Sequence, residues 1–156
     1  MRNTIYLASY KSTRPGWLGV VNRAIRLCTK SVYSHSEMCV GNPFEGAVHC
    51  LSSTSADGGV RVKLMQLNRA KWDIVPLRCV DEATVWEFFA RHHGEPYELD
   101  GAFRTVLPFV GRPHPHKWFC SEVCAAVMGL DEPWRMYPGS LHMTAVNQNK
   151  IMGRAE

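Results

Sequence analysis

Apolar and polar positions change period twice in the first forty or so residues. "TIYLASY" alternates, with Ile5, Leu7 and Ser9 on one side, and predicts a short strand. "GWLGVVNRAIRLCTK" then sets Trp17, Val20, Val21, Ala24, Ile25 and Cys28 at helical spacing, with Arg23, Arg26 and Lys30 largely opposite. This is an amphipathic helix whose basic side reads as a solvated face, with phosphate or membrane contact as the alternative. Alternation returns in "SVYSHSEMCVG", where Val32, Ser34, Ser36, Met38 and Val40 oppose Tyr33, His35, Glu37 and Cys39.

The turn residues of "GNPFEG" and the extended pattern of "AVHCLSSTS" predict that the next strand pairs with this one as a hairpin. "ADGG" is a second turn ahead of "VRVKLMQL", and "WDIVPLRCV" is a further strand with Pro76 at an edge or bulge. Asp81 can cap a helix carrying Val85, Trp86, Phe88, Phe89 and His92, which Gly94 ends. Pro96, Pro108, Pro113 and Pro115 forbid a long helix through "GEPYELDGAFRTVLPFVGRPHPH". "KWFCSEVCAAVMGL" is helical again, starting at about Phe119, with Val123, Ala126, Val127 and Leu130 able to face a core. "EPWRMYPGSLHMTAV" reads as a Pro/Gly loop leading into a short helical turn. Strands and helices do not alternate regularly, so the expected class is α+β, an antiparallel sheet of about five strands packed by helices.

Composition narrows this little. The 156 residues suit a single domain over 1–156, and 46% hydrophobic with 21% charged residues is ordinary for a globular chain. A net charge of +4 is far below the dense clusters of a nucleic-acid binder, so no specific nucleic-acid partner is expected. The N-terminal stretch lacks an unbroken apolar core and a small-residue cleavage site, and no apolar run suffices to span a bilayer. Without an export signal, the six cysteines at 28, 39, 50, 79, 120 and 124 are expected to be reduced.

Cys120 is the candidate nucleophile. A helix N-terminus and a nearby imidazolium both favour a thiolate, and a backbone N–H at the same helix end can donate to an oxyanion. The competing assignment is a small buried hydrophobe, the usual fate of a free cysteine and the one expected for Cys124. A nucleophilic cysteine needs a base and the base an orienter. His35 is the candidate base, with Glu37 on the same face of its strand, and His49 or Ser52 on the paired strand competing for the orienting role. A one-residue register slip exchanges faces, so the choice among the three stays open. His114, His116, Cys120 and Cys124 match no common structural-zinc spacing, and neither metal nor cofactor is expected.

"YSHSEMCV", "SSTSADGGVRV", "GEPYELDG", "WFCSEVCAAVMGL" and "YPGSLHM", in that order from about Ile5 to Val146, resemble the circularly permuted papain-like amidases related to NlpC, with YiiX-like and phage-encoded small proteins as kin. In unpermuted relatives the cysteine precedes the histidine, whereas here His35 precedes Cys120. The resemblance implies a permuted papain-like fold in which the cysteine helix crosses the sheet to bring Cys120 to His35. It maps Tyr97 onto the tyrosine that shapes the oxyanion site. Trp118, within the cysteine segment, is a candidate substrate-pocket residue. The resemblance also implies an amide in a cell-wall peptide as first substrate, with lipid esters and isopeptides used by other permuted members. The alternative is a non-catalytic structural or binding component, for instance of a phage particle, that kept the fold. Synthesis in the cytoplasm is expected, with virion association or lysis as routes to the wall.

Overall fold

The computed structural model describes residues 4–98 and 114–152. Its strands are β1 (Ile5–Tyr10), β2 (His35–Val40), β3 (Val48–Thr54), β4 (Gly59–Met65) and β5 (Trp72–Leu77). They form one sheet in the order β4-β3-β2-β1-β5, antiparallel throughout. The helices are α1 (Gly16–Thr29), α2 (Glu82–His92), α3 (Cys120–Val127) and α4 (Pro138–Met152), with a 3₁₀ turn at Pro133–Arg135. The class is therefore α+β, as the order of patterns predicts.

Period-two alternation sorts the strand residues into two faces. Ile5, Leu7, Met38, Val40, Leu51, Val60, Val75 and Leu77 meet Val85 and Phe89 of α2, Val123, Cys124 and Val127 of α3, and Leu141 and Ala145 of α4. This is the main core, and each large apolar side chain buried there contributes about 1.5–3 kcal/mol. The opposite face carries a smaller cluster of Ala8, Tyr10, Cys39, Val48, Cys50, Leu67 and Trp72. Pro76 lies on the edge strand β5, where a missing N–H breaks no ladder, and its carbonyl accepts from Asn149 Nδ2 at 2.6 Å.

Helix α2 starts as its sequence indicates: the Asp81 carboxylate accepts from the Thr84 N–H at 2.8 Å. At Gly59 the chain passes so close to segment 94–97 that a Cβ would sit 2.0 Å from the Glu95 carbonyl oxygen. Only glycine fits, and the contact fixes residues 94–97 through the bonds Val60 N–H to Glu95 O (2.9 Å) and Tyr97 N–H to Gly58 O (3.2 Å).

Three expectations are corrected. Helix α1 is rotated from the expected face: Ile25 is buried as expected, but Gly19, Asn22 and Thr29 join it, while Trp17 and Val20 are 75% and 53% exposed, beside Leu27 at 81%. Its polar inner residues are satisfied locally, which makes their burial inexpensive. Asn22 Oδ1 accepts the Arg14 N–H at 3.3 Å, and Thr29 Oγ1 donates to the Ile25 carbonyl at 2.7 Å. Arg26 is not a solvated charge either, since it donates to the Lys11 carbonyl at 3.0 Å and to Thr13 Oγ1 at 2.5 Å. Strand β2 begins at His35 and leaves Val32 exposed. The tail is a fifteen-residue helix rather than a short turn. Pro138 suits a first helical position, and Leu141 and Ala145 supply a buried stripe.

Candidate active site

His35 opens β2 opposite Tyr10 of β1, and the strand period carries Glu37 to the same face two residues later. His35 Nε2 donates to Glu37 Oε1 at 2.8 Å, and both side chains are buried. The β2–β3 register resolves the competition for the orienting role. Cys39 stands opposite Cys50, so Ser52 shares the face of Glu37 and His49 takes the other. His49 is exposed, with its ring 5.4 Å from that of Trp86, and does not join His35. Ser52 is on the right face but donates to the Ser36 carbonyl at 2.6 Å. Glu37 alone of the three reaches the imidazole.

Opposite Ser52 lies Arg61 of β4, a residue that sequence reasoning did not single out. Its Nη1 donates to Glu37 Oε2 at 2.7 Å and its Nη2 to Glu37 Oε1 at 2.5 Å, a two-pronged grip. Arg61 Nε reaches Asp57 Oδ2 at 3.0 Å, and Thr54 Oγ1 donates to the same oxygen at 2.9 Å. A charged row thus runs from the β3–β4 turn to the histidine. Its only sequence signal is a cation inside an alternating strand, which gains meaning once the pairing is known.

Cys120 is the first residue of α3. The Glu122 carboxylate folds back to accept the Phe119 N–H at 3.2 Å, which fixes the helix start and leaves Cys120 where backbone N–H groups lack intrahelical acceptors. Phe119, Ile25, Val21 and Tyr97 enclose the thiol, which is 1% exposed. The Cys120 side chain comes within hydrogen-bonding reach of the His35 ring. With Nε2 committed to Glu37, Nδ1 is the nitrogen left for sulfur.

The charges in this row support one another. Burial opposes an imidazolium at His35, but the charge of Cys120, its hydrogen bond, and the bond and charge of Glu37 outweigh it and lift the pKa to about 9. Burial likewise opposes the Glu37 carboxylate, yet His35 and Arg61 hold its pKa down to about 2. The Cys124 thiol, one turn into α3, is pushed well up by burial and then by the charge of Cys120, which suits packing and not chemistry.

Tyr97 bridges to Trp118, with Trp118 N–H donating to Pro96 O at 3.0 Å and Glu98 N–H to Trp118 O at 3.1 Å. This short pairing sets Tyr97 beside the start of α3. Burial, with the charge of Cys120, pushes its phenol well above the ordinary value against a lowering by Arg14, so the hydroxyl stays a donor. Tyr97 lines a cleft with His35, Ser34, Asn22, Arg14 and Leu18. Of these, Arg14, Asn22 and Leu18 come from α1 and the loop before it, which the sequence did not connect to the site. Trp118 turns away from the cleft: its indole donates to Glu95, and its ring packs on Phe88 at 5.5 Å and His92 at 5.0 Å. Trp118 thus packs against the end of α2, while Tyr97 faces the cleft.

Among the described residues no helix is long and apolar enough to cross a membrane. Compared with known protein families and with curated proteins, the chain matches none.

Proposed function

We propose that the chain is a cysteine hydrolase of the permuted papain-like type, acting on an amide through an acyl-enzyme. The observation that carries this reading is the buried row Cys120, His35, Glu37, Arg61, in which a thiol at a helix start meets an imidazole whose other nitrogen is held by a carboxylate. A lone packing thiol has no need of such a row.

The chemistry follows from the parts. Cys120 Sγ, as thiolate, attacks the substrate carbonyl carbon, and the carbonyl oxygen takes up the charge. The Cys120 N–H at the helix start and the Tyr97 hydroxyl are the donors assigned to that oxygen. As the C–N bond breaks, His35 Nδ1 gives its proton to the departing amine. Neutral His35 then takes a proton from water, whose oxygen displaces sulfur and releases the acid. Glu37 keeps the ring oriented and favours its charged form, and Arg61 keeps Glu37 ionised.

The order of His35 before Cys120 supports the permuted assignment, and the resemblance to NlpC-related amidases makes a cell-wall peptide the first substrate class. Incubation with purified muropeptides, followed by mass spectrometry of products, tests this. The expected result is a new amine and acid pair for one amide, lost in Cys120→Ala and His35→Ala; cleavage that survives Cys120→Ala contradicts it.

A further inference from the structure

Helix α1 has two unlike sides. Its inner side, with Val21 and Ile25, closes over Cys120 and Phe119, while Leu18, Val21, Asn22 and Ile25 form a wall of the cleft that holds His35. Its outer side shows solvent a stripe at helical spacing, Trp17, Val20 and Leu27, continued after the helix by Val32 at 61% exposure. Large apolar side chains gathered in this way mark an interaction surface.

The charge around the stripe identifies the occupant. From Lys11 to Ser36 the chain carries Lys11, Arg14, Arg23, Arg26 and Lys30 and no acidic residue, whereas the whole protein has a net charge of only +4. Lys11 is paired with Asp73 and Arg26 serves the loop at 11–13, but Arg23 and Lys30 stand exposed on the same helix as the stripe. A second copy set against this face would oppose like charges. An anionic bilayer supplies the opposite ones and takes up Trp, Val and Leu side chains at its headgroup boundary. We propose that α1 docks the protein on an anionic lipid surface, with Trp17, Val20 and Leu27 entering the interface and Arg23 and Lys30 meeting the headgroups.

The inference does not depend on catalysis, so it is tested on the intact chain carrying Cys120→Ala. Flotation with vesicles containing phosphatidylglycerol is compared with pure phosphatidylcholine vesicles. Binding is expected to the anionic vesicles, weakening in high salt. The double variant Trp17→Ser/Leu27→Ser should lose about tenfold or more in apparent affinity, and Arg23→Glu/Lys30→Glu should lose a similar factor. Equal partition into both lipids, or anionic binding indifferent to both variants, overturns the proposal. So does a concentration-dependent dimer in sedimentation that Trp17→Ser dissociates, which assigns the stripe to a second copy.

Discussion

Arg61 grips the Glu37 carboxylate with both terminal nitrogens, at 2.7 Å and 2.5 Å, in a row continuous with the Glu37 bond to His35. A carboxylate with 0% exposure is stable in this position only while it is paired on both flanks. Arg61→Met should therefore destabilise the fold by about 3–5 kcal/mol, read as a shift in the urea midpoint. Arg61→Lys, which keeps a charge but not the fork, should fall between wild type and Met. A loss below about 0.5 kcal/mol for Arg61→Met, in the range of ordinary surface substitutions, contradicts the pairing.

Glu37 acts on His35 through charge and orientation, and both effects have a pH signature. His35 must be protonated to donate to the leaving group, so kcat/KM should fall as pH rises through about 9. Glu37→Gln removes one of the groups that raise this pKa, and the alkaline limb should move to lower pH. The limb should stay above the value for a buried histidine without a partner, because Cys120 contributes the larger share. An unmoved alkaline limb in Glu37→Gln rejects Glu37 as the partner.

The same two groups shape stability against pH. The folded-state pKa of Glu37, about 2, lies below its ordinary 4.5, so its contribution is present above pH 4.5 and disappears as pH falls through about 2. His35 has the opposite sign. Its folded-state pKa of about 9 lies above 6.5, so its contribution is full below pH 6.5 and is lost as pH rises through about 9. Urea midpoints across pH should form a plateau between 4.5 and 6.5 that declines on both sides, and His35→Ala should flatten the alkaline decline.

His49 and Ser52 give a contrast to Glu37. His49 is exposed beside Trp86, and His49→Ala should leave both activity and stability within about 0.5 kcal/mol of wild type. Ser52 Oγ satisfies the buried Ser36 carbonyl, so Ser52→Ala should cost about 1–3 kcal/mol in the urea midpoint while specific activity of the folded enzyme holds. A kcat collapse in either variant, with the fold intact, moves the orienting role away from Glu37.

The sequence revealed local structure more reliably than partnership. Alternation in "TIYLASY", "SVYSHSEMCVG" and "VRVKLMQL" found the strands, and Asp81 and Phe119 marked helix starts, because those signals lie within a few residues. The inner face of α1 is only partly legible: Ile25 is buried, but hydrophobicity also favours burying Trp17 and Val20, whereas packing uses Gly19, Asn22 and Thr29, with Asn22 and Thr29 bonded within the same segment. His35 and Glu37 shared a face by period alone. Separating Ser52 from His49, and finding Arg61 at all, required the register of three strands, which a single sequence leaves open by one residue. Sequence places Trp118 two residues before Cys120, but its ring goes to Glu95, Phe88 and His92, partners that only the folded chain brings to it.

The central claim is that Cys120 is an activated thiol, and site-resolved alkylation tests it most directly. Cys28 and Cys79 are exposed, while Cys120 is 1% exposed, so accessibility alone ranks Cys120 below both. The pairing with His35 predicts the reverse: at neutral pH, iodoacetamide followed by peptide mass spectrometry should label Cys120 first, ahead of all five other thiols. In His35→Ala that lead should vanish. Labelling that follows exposure, with Cys28 and Cys79 modified and Cys120 untouched in the wild type, would contradict the account.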